Sequence, residues 1–275
     1  MDHARKMGWL IAFASVFSIS VASAESNSLA TQTNNEISAS LAYYQYEEPG
    51  IMSLKGAKIG WNLRTTMTLQ NDLFMRGDLR YAFGMVNYSS RNTGNSSGEP
   101  DCYVEARGLV GKDWLYKQDV VAAYTGLGYR FLFNDSRGIS STGNWGYRRA
   151  SNYLYLPVGI IYRSNYSSQA RLVSTLEYDH LVLGKQISML SDGGQGDSDL
   201  TNTQRKGYGL KLSVMYEKGE WAIGPYLHTW NIDDSDWVPS YKYGLPEFDQ
   251  FGRQLGGVEP ENNTAEFGLK VGKQF

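Results

Sequence analysis

The sequence predicts an all-β chain, a ten-stranded antiparallel transmembrane β-barrel with short periplasmic turns and long extracellular loops. Three observations predict it: ten stretches in which apolar and polar residues alternate, connections that are short at one end and long at the other, and aromatic residues gathered beside the short connections. Composition excludes several other classes. The 275 residues carry 26 Lys+Arg against 28 Asp+Glu, so no basic surface stands ready to neutralise phosphates and no nucleic acid is expected as a partner. One Cys rules out an internal disulfide, and no His/Cys cluster offers a zinc site, so no cofactor is expected. A mean hydropathy of -0.42 argues against a helical membrane protein.

The chain opens with Arg5 and Lys6, an apolar run from Met7 to about Ile19, and Ala22-Ser23-Ala24. A basic start, a short apolar segment and small residues at a cleavage site make residues 1–24 a secretory signal peptide. Residues 25–35 follow as a periplasmic N-terminal segment, and 36–275 form the barrel.

Ten strands are expected near 36–48, 53–69, 72–88, 102–114, 119–134, 150–163, 168–184, 205–217, 220–232 and 263–275. Each is long enough to cross a bilayer as a tilted strand, which takes about 9–11 residues. In the third, Leu73, Met75, Leu79, Tyr81, Phe83 and Met85 share one face while Arg76, Asp78 and Arg80 share the other, and that charged face cannot meet hydrocarbon. The fifth alternates Val121, Ala123, Leu127, Tyr129, Phe131 and Phe133 with Tyr124, Gly126, Gly128 and Arg130. The eighth alternates Tyr208, Leu210, Leu212, Val214 and Tyr216 with Gly207, Gly209, Lys211 and Ser213.

A soluble sandwich also alternates, so the connections decide. They are short near 70–71, 115–118 and 218–219, and long near 89–101, 135–149, 185–204 and 233–262. An even strand number then places both termini at the short-turn end. Trp114, Tyr162, Tyr216, Trp221 and Phe275 fall at that end, where a periplasmic girdle of amphipathic rings would mark the lipid boundary. The last strand, with Phe267, Leu269, Val271 and terminal Phe275 on one face, resembles the terminal strand by which bacterial outer-membrane barrels are recognised for insertion. The resemblance implies the barrel-assembly machinery as a partner. Lys273 departs from the apolar pattern but lies at the rim, where its ammonium reaches water.

Strand parity points Arg76, Asp78, Arg80, Glu105, Arg107, Arg130, Arg171, Glu177, Lys211 and Glu266 inward, with both signs interleaved. A lumen filled by ion pairs is expected, because a ten-stranded barrel is narrow and buried charges need partners.

Candidates for catalysis are few. His180 follows Asp179, but neighbours in a strand point to opposite faces, which turns His180 outward and away from Asp179. His228 points inward near the outer mouth, with Glu266 on the next strand a possible partner. In size and layout the chain resembles the omptins, outer-membrane proteases whose site at the outer mouth opposes an Asp pair to an Asp and a His. That motif is not matched: Asp179-His180 replaces the expected Asp-x-His, and the paired aspartates give way to Asn87-Tyr88-Ser89-Ser90. Lipid A deacylases, with a lipid-facing His and a Ser two residues on, offer a second resemblance, but Val182 stands in the serine position. No catalytic residue carries over from either family.

In the loops, Asp192, Asp197 and Asp199 are oxygen donors suited to a hard cation, without the spacing of a complete calcium loop. Trp237, Tyr241, Tyr243 and Phe248 make the last loop rich in aromatics. The expected role is structural or surface recognition of a ligand through extracellular loops, in an outer membrane of a Gram-negative cell among lipids and lipopolysaccharide. The alternatives are an omptin-like or lipid A hydrolase and, second, a small channel.

Overall fold

A strand that crosses lipid must send each side chain either into hydrocarbon or into the lumen, and this rule shapes the architecture. A computed structural model of the chain describes residues 29–275, and the signal peptide assigned to 1–24 lies outside the described residues. The strands are β1 (Asn34–Glu48), β2 (Met52–Thr68), β3 (Leu73–Ser90), β4 (Gly94–Tyr116), β5 (Asp119–Ile139), β6 (Trp145–Ser167), β7 (Ala170–Met189), β8 (Leu200–Gln204), β9 (Gly207–Lys218), β10 (Trp221–Ile232), β11 (Val238–Pro239), β12 (Tyr241–Lys242), β13 (Leu245–Pro246), β14 (Gly256–Gly257) and β15 (Asn262–Gln274). Strands β1 to β7, β9, β10 and β15 form a closed antiparallel barrel of 10 strands, sealed where β1 pairs with β15 from Glu36↔Gln274 to Glu47↔Asn263.

Leu41, Ile59, Leu79, Leu127, Val158, Leu176, Leu212 and Leu269 stand exposed on the outer wall, while the residues between them turn inward. Such a continuous apolar belt is unfavourable in water and favourable in lipid. All ten stretches of alternation are strands. Trp114, Tyr162, Trp221 and Phe275 are exposed near the short-turn end, and Tyr216 packs edge-on against Tyr166 at 5.7 Å. Lys273 lies 3.4 Å from Glu220 at the same rim.

Three features differ from the expected boundaries. The sheet climbs past the apolar belt, so that β3 and β4 stay paired to Ser90↔Gly94, and β5 and β6 to Ile139↔Trp145. Much of 89–101 and 135–149 is therefore a pair of protruding hairpins rather than irregular loop. Their backbone groups satisfy one another, and their side chains are free to be polar. At Val182 a bulge sets Leu154↔Leu183 beside Tyr155↔Leu181, and the inward parity of β7 changes from Asp179 and Leu181 to Gly184 and Gln186. Above the bulge, β8 continues the line of β9 along β7. Third, β1 begins at Asn34, and the segment before it enters the barrel: Thr31 donates its N–H to Asp113 Oδ2 at 2.5 Å and its hydroxyl to Oδ1 at 2.9 Å, and Leu29 is buried.

Candidate functional site

Two regions inside this wall hold chemistry: the lumen at membrane level and a basin above it. In the lumen an unbroken path of ion pairs runs Glu36, Arg64, Asp78, Arg107, Glu177, Lys211, Glu105, with separations of 3.2, 3.0, 2.8, 2.5, 3.1 and 2.6 Å. Arg107 on β4 reaches Glu177 on β7, and Lys211 on β9 reaches Glu105 on β4, so these contacts cross the barrel rather than follow one wall. Arg80 crosses from β3 to Glu266 on β15, and Lys58 is buried against Asp101. Arg171 pairs with Glu217 at 2.6 Å. Arg130 lies over the Tyr103 ring at 4.6 Å and the Trp230 ring at 5.8 Å. Arg76 lines the lumen nearer the short turns.

Two tyrosines complete this layer because glycines make room for them. Tyr155 lies over Gly128 and donates to Glu105 at 2.8 Å, and Tyr124 lies over Gly159 and donates to Glu177 at 2.5 Å. A Cβ on either glycine would fall 2.2 Å from the ring. Toward the long loops, Tyr103, Leu132, Tyr153, Tyr155, Leu181, Trp230 and Ile232 form a buried apolar layer, with Tyr155 and Trp230 edge-on at 5.1 Å.

The structure does not assemble the histidine candidates into a catalytic site. His180 is exposed on the outer wall, and Asp179 on the opposite face is 3.2 Å from Lys211. His228 is inward and opposite Glu266 in the β10–β15 register, but it does not face the outer mouth. It lines the cavity at the short-turn side. Glu266 is held by Arg80 and accepts from Tyr226 at 2.6 Å and Tyr103 at 2.7 Å. His228 Nδ1 meets Arg80 Nη1 at 2.7 Å, so the ring faces a cation rather than an orienting carboxylate. Strand tilt fixes the height of each residue, and alternation alone does not reveal it.

The acidic loop residues are also kept apart. Asp192 is gripped by Arg148 at 2.7 Å, which holds its carboxyl well below the usual range, Asp197 pairs with Lys242 at 3.1 Å, and Asp199 accepts the Ser191 N–H at 3.1 Å. Among the described residues no group of three or more His, Cys, Asp or Glu is arranged to hold a metal.

Above the apolar layer lies a basin of about 770 Å³, walled by the ends of β1 to β8 and by the chain leading into β15. Its floor carries a carboxyl pair. Tyr46 OH lies 3.1 Å from Glu48 Oε1 and 3.4 Å from Glu259 Oε1, and Arg149 donates to Glu48 at 2.6 Å. Burial pushes the Glu259 carboxyl up to about 7. Glu48 beside it adds to that rise, and Arg149 opposes it. Glu99, also buried, accepts from Ser96 and, at 2.5 Å, from Ser136. Tyr88, Trp145 and Tyr147 add aromatic surface.

These three glutamates escape strand-pattern reasoning because they lie above the alternating belt. One signal was available: Glu48, Glu99 and Glu259 are each followed by proline, which holds the preceding residue extended. No histidine lines the basin among the described residues.

No protein-family model matches the sequence, and no curated protein matches it. Among solved structures, the chain is similar to the outer membrane protease OmpT from Escherichia coli, with a TM-score of 0.54 and 11% identity over 88% of this chain and 97% of that one. It also matches the translocator domain of the autotransporter NalP from Neisseria meningitidis, with a TM-score of 0.39 and 12% identity over 89% and 90%. A major outer membrane protein from Thermus thermophilus gives a TM-score of 0.37 and 12% identity over 89% and 100%. The likeness to OmpT is one of fold: this is a barrel of the ten-stranded, omptin-sized class.

Proposed function

We propose that the chain is exported by its signal peptide into the outer membrane of a Gram-negative cell, where it serves as a closed barrel with a structural or surface-recognition role at its long-loop end. The observation that carries this reading is the stacking of a cross-linked lumen beneath a wide basin. Conduction requires a continuous column of water, and Tyr153, Tyr155 and Trp230 occupy the place it would need. The omptin-like and lipid A hydrolase alternatives each place a histidine beside the reacting bond, and neither described histidine stands at the basin: His180 is on the outer wall and His228 lines the short-turn cavity. The outer belt contacts membrane lipid, the protruding hairpins stand among lipopolysaccharide, and the terminal strand is read by the barrel-assembly machinery during insertion.

The loops are the recognition surface, and proteoliposomes test this. Wild-type protein and a variant with 238–257 replaced by a Gly-Ser linker are presented to purified lipopolysaccharide, matrix proteins and glycans. Saturable binding of one of these by wild type and not by the variant is expected. Cleavage of peptide or lipid A that is lost in His228→Ala or His180→Ala would overturn the reading.

A further inference from the structure

The short-turn side of the lumen holds a second cavity, of about 160 Å³, with a charge balance unlike the basin's. Eight Lys and Arg side chains line it against two carboxylates, Glu36 and Glu217. Seven of those cations have a carboxylate within ion-pair distance: Arg64, Arg80, Arg107, Arg163, Arg171, Lys211 and Lys270. Arg76 has none. Its register neighbours on β2 and β4 are Thr66 and Leu109, which offer no charge. Asp78, two residues along the same face, is taken on one oxygen by Arg64 and on the other by Arg107. The Arg76 Nε is shielded from solvent without a hydrogen-bond partner, and the nearest recorded contact of the guanidinium is the Phe74 ring at 5.5 Å.

Arg76 is half-buried, with its Nε shielded and unpaired among other cations, and an anion in the cavity would stabilise it. The wall supplies no such anion, while the cavity has room for several waters. Lys270 contributes from β15, where among the described residues its one ion pair is a long contact of 3.6 Å to Glu36. Donors that line one cavity from separate strands suit a tetrahedral anion with oxygens on every side better than a planar carboxylate.

We propose that this cavity binds a small phosphate-type oxyanion, with Arg76 as its principal anchor and Lys270 as a second. The anion is free rather than a lipid headgroup, because a wall of hydrogen-bonded strands separates the cavity from the bilayer and an acyl chain has no way through it. This site is independent of the loop-borne role proposed above, and failure of either leaves the other standing.

The test uses the purified barrel in detergent micelles, in low-salt Tris chloride. Inorganic phosphate is titrated by calorimetry and followed in parallel by thermal unfolding, with sodium chloride at matched ionic strength as control. A single saturable phosphate site that chloride does not reproduce is expected. Arg76→Gln weakens it about tenfold or more, while Arg76→Lys retains part of the binding. Nanodiscs containing phosphatidylglycerol, without added phosphate, are expected to leave the site open to a later phosphate titration. A phosphate response that is equal in Arg76→Gln and wild type, or one that follows ionic strength alone, overturns the proposal. Occupation by phosphatidylglycerol instead overturns the choice of a free anion. Should Arg76→Gln fail to fold, the wild-type titration together with Lys270→Gln decides: no saturable binding, or binding unaffected by Lys270→Gln, refutes the site.

Discussion

Lys211 is the most heavily engaged cation in the lumen, and replacing it with Met tests how far the ion pairs act as a lattice. Its Nζ lies 2.6 Å from Glu105, 3.1 Å from Glu177 and 3.2 Å from Asp179, with Tyr155 OH at 3.3 Å. With an effective dielectric of about 20, each ion contact is worth about 5 to 6 kcal/mol of gross attraction. Most of that is offset by the cost of taking four charges out of water. The net loss comes from what remains: three carboxylates close together, of which, among the described residues, only Glu177 keeps another cation within ion-pair distance, Arg107 at 2.5 Å. Stranding buried charge in this way costs about 3–5 kcal/mol, and proton uptake by the carboxylates limits the loss to that order.

Methionine fills similar volume, so a cavity contributes little. Urea unfolding in phospholipid bilayers reads the loss, with total tryptophan fluorescence as the reporter, to which Trp230, packed against Tyr155 at 5.1 Å, contributes. The double variant Lys211→Met/Glu105→Gln removes one of the stranded charges and should recover at least about 1 kcal/mol. A loss below about 1 kcal/mol in the single variant, or no recovery in the double, would refute a lattice that depends on mutual compensation.

Further outcomes follow from the same contacts. Because the Glu259 carboxyl rises from 4.5 to about 7 in the folded protein, its contribution to docking of the 233–262 connection is complete below pH 4.5 and is lost as pH rises through 7. Limited proteolysis of that connection should therefore quicken between pH 5 and pH 8 in wild type, with a flatter profile in Glu259→Gln; pH-independent cleavage of wild type would contradict this. Gly128→Ala places a methyl 2.2 Å from the Tyr155 ring, displaces the hydroxyl from Glu105 and should lower stability by about 1–3 kcal/mol in the same urea assay. Asp113→Asn weakens the anchor that Thr31 and Arg163 share, and protease should then cut at residues 29–33 faster than in wild type.

The strands were legible because lipid and lumen impose opposite demands on neighbouring side chains. Arg76, Asp78 and Arg80 could only face inward once Leu79 and Tyr81 faced out. Partners were not legible. Arg80 and Glu266 are separated by 186 positions and Arg107 and Glu177 by 70, and their meeting depends on the stagger of a closed barrel. The same stagger put His228 beside the short-turn cavity rather than the outer mouth. The bulge at Val182 hid the inward turn of Gln186, since a single inserted residue reverses parity. The basin escaped because its glutamates lie above the belt where alternation carries information, and only the repeated Glu-Pro pairs hinted at it.

Single-channel recording in planar bilayers addresses the closed lumen most directly. With the ionic path from Glu36 to Glu105 and the Tyr153, Tyr155 and Trp230 layer in place, wild-type protein should give a flat current trace at either polarity. Stable, protein-dependent conductance steps would contradict a barrel filled by its own side chains.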